Sequence, residues 1–83
     1  MITIQLTGEL VIKTINKQIA NITKTHLQNN LTIDLTNINK IDTAGIAMLI
    51  DLQEQSHKAS KQINYVNIPI HVSSLCSLYQ IKL

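Results

Sequence analysis

Few residues in this chain could do chemistry, and most of them gather at one junction. Asp42-Thr43-Ala44-Gly45 stands directly before an almost wholly apolar run, within KIDTAGIAMLI at residues 40–50. A carboxylate, a hydroxyl and a glycine so close together could be a catalytic group, a phosphate-acceptor site or a helix entrance. Asp-Thr-Gly would mark an aspartic protease, but Ala44 interrupts it, and a second copy would be needed to pair the acids. No G-x-S-x-G elbow is present for a serine hydrolase. A third enzymatic option, a hydrolase acting through Asp34 and Asp42, requires the fold to bring those two carboxylates together. His26, His57 and His71 lie beyond helical spacing of one another, so no metal site is expected. Gly8 and Gly45 make no phosphate loop, and Cys76 fits a small core residue. The expectation is a protein with no catalytic residues, no metal and no cofactor.

The whole chain is one domain, residues 1–83. At this size folding buries only about 60–65% of the unfolded surface, which leaves little room for a deep pocket. The 45% apolar content is aliphatic, with only Tyr65 and Tyr79 as aromatics. Base-stacking platforms need exposed rings. The net charge of +2 comes from seven scattered lysines and no arginine, so the guanidinium fork that recognises phosphate is missing. Nucleic-acid binding is not expected. No apolar run is long enough to span a bilayer, and Met1–Ile4 lacks the features of a secretory signal. A lone cysteine suits a reducing compartment. Together these point to a cytoplasmic protein.

Residues 2–6 alternate apolar and polar, Thr7-Gly8 reads as a tight turn, and Glu9–Lys13 reads as a second strand. From Thr14, a plausible N-cap, the period lengthens: Ile15, Ile19, Ile22 and Leu27 form a helical stripe. Lys17, Gln18, Asn21, Lys24 and Gln28 make its solvated face, and Asn29-Asn30 its stop. Leu31–Thr36 returns to period two, and Asn37–Lys40 reads as a linker. A helix follows from Thr43 to about Ser60, then a short strand at Ile63–Val66. A last helix starts near Pro69, with Val72, Leu75, Cys76, Leu78 and Tyr79 on its apolar side. Ile81–Leu83 reads as a frayed strand or as nothing regular. The order is β-β-α-β-α-β-α, an α/β fold.

On the second helix, 100° per residue places Gly45, Leu49, Leu52, Ser56 and Ala59 on the core side, flanked by Ile46 and Met48. Asp51, Glu54, Lys58 and Lys61 project the opposite way. Thr43 and Ala47 share that outer face, with Ala44 at its edge. Small exposed side chains let another backbone approach closely, although alanine is also simply a good helix former. Asp42 suits the N-cap, where the macrodipole favours a carboxylate. Thr43 is then the first helical residue with a free hydroxyl, placed where an added phosphate is well accommodated.

The pairing of Ile33-Asp34-Leu35 with IDTAGIAMLIDL from Ile41 to Leu52 resembles the STAS domain. ITIQLTGELVI at the start and INYVNIP near the end are similar to its first hairpin and fourth strand. The resemblance covers residues 2 to 80 or so. It implies a mixed four-stranded sheet with helices packed mainly on one face, and a functional edge around Thr43. In sigma-regulating members the matching hydroxyl is phosphorylated by a partner kinase. Asp-Thr-Ala-Gly with an alanine-rich first turn is closer to the MlaB-type members, which bind the ATPase subunit of a phospholipid ABC transporter. The expected partner surface is Lys40, Asp42, Thr43, Ala44, Ala47 and Asp51, with Thr43 as the possible phosphoacceptor. Contact with the membrane is expected only through the transporter. The partner in the alternative is the kinase that acts as an anti-sigma factor.

Overall fold

The computed structural model describes residues 2–22, 29–81 and 83. The expectations for Lys24, His26, Leu27, Gln28 and Lys82 lie outside these residues. Among the described residues three strands and three helices alternate: β1 (Ile2–Leu10), α1 (Ile15–Ile22), β2 (Leu31–Ile41), α2 (Thr43–Lys58), β3 (Ile63–Val66) and α3 (Ile70–Leu78). The sheet order is β1-β2-β3, and both pairings are parallel.

The expected first hairpin does not form, so the described residues hold a three-stranded parallel sheet rather than a mixed four-stranded one. Thr7-Gly8 does not reverse the chain; Gly8 continues the strand at φ +87, a backbone angle that suits glycine. The pairing with β2 shifts between Gln5 and Thr7 and again between Gly8 and Glu9. At each shift β2 carries one more residue than β1, so both are bulges in β2. The first is organised by Asp34, whose carboxylate accepts from the Thr36 backbone N–H at 2.9 Å and from the Thr36 hydroxyl. Residues 37–40, expected as a linker, therefore belong to β2.

Leu31, Ile33 and Leu35 are buried on one face of β2, and beyond the bulge the buried residue becomes Ile38. The alternate positions Thr32 and Asp34 are only half-buried. Parallel sheets usually carry cover on both faces and read as continuous apolar runs; the strict alternation here marks one covered face. Ile22 from α1, Met48, Leu49 and Leu52 from α2, and Val72 and Cys76 from α3 join the strand residues in a single core cluster. Tyr65 on β3 reaches across it to donate its hydroxyl to the Leu49 carbonyl at 2.7 Å.

α1 turns Ile15 and Ile22 toward the core as its aliphatic spacing suggests, but Gln18 takes the inward place expected of Ile19. Gln18, expected in solvent, is 7% exposed, whereas Ile19 is 39% exposed. The reason lies in β1: the Gln18 side-chain amide donates to the carbonyls of Thr7 and Glu9, at 2.7 and 3.0 Å. Backbone carbonyls at the irregular end of an edge strand need partners when covered, and this side chain supplies both. Thr14 does not cap α1 with its side chain. Its hydroxyl donates to Glu9 O at 2.7 Å and accepts from Val11 N at 3.1 Å, which holds the turn between β1 and α1.

α3 begins after Pro69 and buries Val72 and Cys76, with Leu75 half-buried. Leu78 and Tyr79, expected on its apolar side, are 73% and 51% exposed. Ile81 is folded back, its N–H donating to Cys76 O at 2.8 Å, and neither Ile81 nor Leu83 is in a strand.

Candidate functional site

β2 ends at Ile41 and α2 begins at Thr43, so a single residue turns the chain between them. That residue, Asp42, is extended at φ −124 and ψ −173 and caps the helix: one carboxylate oxygen accepts from Gly45 N at 3.0 Å. The other accepts from Ile12 N, also at 3.0 Å. The Asp42 backbone N–H donates to Leu10 O at 3.2 Å. One aspartate thus ties the start of α2 to the chain leaving β1, thirty residues away in sequence. The Ile12 and Gly45 N–H groups favour the ionised form and hold the Asp42 carboxyl below the ordinary aspartate range.

Gly45 completes the junction by having no side chain. A Cβ at this position would lie 2.1 Å from the Leu10 carbonyl oxygen and 2.8 Å from Ile41 Cγ1. Asp42 and Gly45 are therefore the structural half of the tetrapeptide, and they leave Thr43 and Ala44 over. Thr43 is exposed at the first helical position, and its hydroxyl makes no hydrogen bond among the described residues. Ala44 is half-buried, while Ala47, one turn on, is exposed. The inward face of α2 is Gly45, Ile46, Met48, Leu49, Leu52 and Ser56, as the periodicity predicts, but the helix ends at Lys58 and Ala59, also expected inward, is its half-buried C-cap.

Ala47 stands between two shallow apolar grooves. One, about 570 Å³, runs between α1 and α2; Ile15, Ile19, Ala44, Ala47 and Met48 line it, with Asp51 and Glu54 at its side. The other, about 280 Å³, is lined by Thr43, Ile46, Ala47, Ile50, Tyr79 and Ile81. The tertiary structure thus adds Ile15, Ile19, Glu54, Tyr79 and Ile81 to the residues read from sequence. Ile19 and Tyr79 are the informative additions, because each is a large apolar side chain left substantially uncovered. Their only signal in the sequence was Tyr79's rarity in an aromatic-poor chain. Asp51 borders the first groove and is held by the Gln55 side-chain amide at 2.7 Å. Lys40 is exposed on β2 in register with Glu9, and it lines neither groove.

The junction offers little for catalysis. Asp42 lies eight positions beyond Asp34 along the strand, about 25 Å at ordinary strand rise, so they form no carboxylate pair. Asp34 is also committed to the β2 bulge, where first the Thr36 hydroxyl and then the Thr36 N–H lower its pKa. His57 and His71 are exposed and lie on different helices. Among the described residues no three His, Cys, Asp or Glu side chains group to hold a metal ion. Cys76 is 5% exposed, and burial raises its thiol pKa. No helix among the described residues is long and apolar enough to cross a membrane.

The Asp42 contacts predict a pH dependence with a definite sign. A carboxyl whose folded pKa is depressed contributes stability that is complete above its unfolded pKa of about 3.9 and lost as pH falls through the folded value. Asp42→Asn keeps the shape but turns an amide N–H₂ toward one of two backbone donors. Urea unfolding should show the variant less stable than wild type at pH 7, with the gap closing as pH falls below about 4. A gap that is constant with pH would mean that the ionised carboxylate is not what Ile12 and Gly45 require. Asp34 remains in both proteins and keeps some acid sensitivity in the variant.

A search of curated proteins returned no match. The family model described as "Mlab, STAS domain" matches residues 1–82, and with that coverage the chain belongs to the MlaB-type STAS domain family.

Proposed function

We propose that this protein is a non-enzymatic adaptor that docks onto the ATPase subunit of an Mla-type phospholipid ABC transporter and supports its assembly or activity. On this reading it serves the maintenance of outer-membrane lipid asymmetry, works in the cytoplasm, and meets the inner membrane only through its partner. The observation that carries the reading is Ala47, a small exposed residue between two apolar grooves on a helix whose outer face further along carries Asp51, Glu54 and Lys58. Ala44 and Thr43 extend the close-approach surface toward the helix entrance, and Asp51 supplies a charge at its border. Asp42 acts at one remove, by fixing the first turn of α2. Lys40 is the outlier of the predicted set and contributes at most at long range. The test is co-purification of the tagged ATPase with wild type and with Ala47→Glu; survival of the complex in the variant would place docking elsewhere.

One observation favours a second reading, a phosphorylation-regulated anti-sigma-factor antagonist. The Thr43 hydroxyl is exposed, unbonded and beside the helix N-terminus. Phosphorylation there adds about −1.5 to −2 charge units next to Asp42 and would repel an acidic partner. Intact-mass measurement of protein isolated from cells separates the readings. A substantial fraction 80 Da heavier (the mass of one phosphoryl group, on the order of 80 Da) that is lost in Thr43→Val supports the switch; its absence across growth conditions counts against it.

A further inference from the structure

The groove between α1 and α2 has a charge character opposite to that of the chain. The protein carries seven lysines and a net charge of +2. Yet the charged side chains lining this groove are Asp51 and Glu54, and no lysine among the described residues lines it. The two acids are three residues apart on α2, so they sit one above the other on the same side of the helix. Below them the surface is aliphatic: Ile15 and Ile19 from α1, Ala47 and Met48 from α2. Ile19 is there because Gln18, not Ile19, turns inward to the β1 carbonyls.

We infer that this groove receives an amphipathic helix of the partner carrying two cationic side chains one turn apart. The inference rests on the docking reading above and names the chemistry of the segment that docks. A helix fits because the groove is walled by the side chains of two helices. Such a wall offers no row of backbone donors and acceptors, so the occupant must satisfy its own backbone, as in helix-in-groove recognition. Ala44 and Ala47 keep the floor shallow, so a third helix can approach to the ordinary 8–10 Å axial distance. Its apolar residues at i, i+3 or i+4 cover Ile15, Ile19 and Ala47. A Lys or Arg pair one turn apart then meets Asp51 and Glu54 at the border, where charge sets orientation and association rate more than bulk affinity.

The test is charge reversal read against salt, with the ATPase as the first partner. Asp51→Lys/Glu54→Lys should weaken the wild-type complex about tenfold at 0.05 M salt, and most of that difference should vanish at 0.5 M, where border charges are screened. Both sites are exposed, so the variant is expected to fold, and circular dichroism checks this. If Ala47→Glu abolishes the complex while the double reversal leaves low-salt affinity within twofold, docking stands and the cationic helix is overturned. If wild type forms no complex with the ATPase, the docking reading fails by itself. The inference is then decided on free protein by amide-shift titration with two synthetic helical peptides of identical apolar face. One carries lysines at i and i+4 and the other glutamates. Shifts at Ala44, Ala47 and Asp51 with the lysine peptide alone support the inference; equal shifts, or none with either, overturn it.

Discussion

Gly45→Ala will lower the stability of this protein by about 3 kcal/mol or more and its Tm by about 12–24 °C, near the limit of what a small domain tolerates. A reader of the helix alone would predict the opposite sign. Gly45 lies inside α2, and alanine is better than glycine there by about 1 kcal/mol. The close approach decides against propensity. The new Cβ would stand 2.1 Å from the Leu10 carbonyl oxygen and 3.0 Å from its carbonyl carbon. These are backbone atoms of β1, and that strand is already fixed by its pairing with β2 and by Asp42. The start of α2 must therefore move away, which also lengthens the Asp42 cap. Gly8→Ala is the informative control, because a Cβ there meets nothing within 4 Å and only the φ of +87 is strained. Its cost should be about 1–2 kcal/mol. Thermal unfolding of the two variants decides the matter. A Gly45 variant as stable as the Gly8 variant would mean that α2 and β1 are not in that contact.

Ala47→Glu should reduce affinity for the ATPase at least about a hundredfold, close to 3 kcal/mol, while leaving folding stability within about 0.5 kcal/mol. The two halves of this expectation come from different surroundings of one side chain. In the free protein position 47 faces solvent, and glutamate forms helix well. Asp51 is four residues further on, and like charges at that spacing cost only about 0.2–0.5 kcal/mol. In the complex the same carboxylate would be enclosed between two apolar grooves with no cation among their described linings. Burying an unpaired charge or breaking close packing there costs far more. Ala47→Ser, which adds one small polar atom, should bind within a fewfold of wild type. Isothermal titration with chemical denaturation of each variant gives both numbers. If the Glu variant loses stability in step with affinity, the effect is on folding and says nothing of docking.

What could be read from residues was what local rules dictate. The 3.6-residue period of α2 placed Gly45, Ile46, Met48, Leu49, Leu52, Ser56 and Ala59 inward; the first six are buried, and Ala59, the residue that ends the helix, is half-buried. Asp42 as cap followed from residue preference, and Leu31, Ile33 and Leu35 as one strand face followed from period two. Two of the errors share a cause: each depended on a partner in a different element of the fold. Thr7-Gly8 has the composition of a turn, and only pairing with β2 makes it part of a continuous strand. Gln18 has the composition of a surface residue, and only the Thr7 and Glu9 carbonyls beneath α1 draw it in.

The same division runs through the tetrapeptide at residues 42–45. Its sequence alone determined a helix entrance with a capped carboxylate, because the cap and the free hydroxyl of Thr43 follow from spacing along one chain. Tertiary structure decided the rest. Gly45 is required by a strand 35 residues earlier (Leu10), and Ala47 becomes a saddle only because α1 and the chain after α3 rise on either side. Periodicity reports which way a side chain points, but a groove needs two walls, and the fold alone supplies the second.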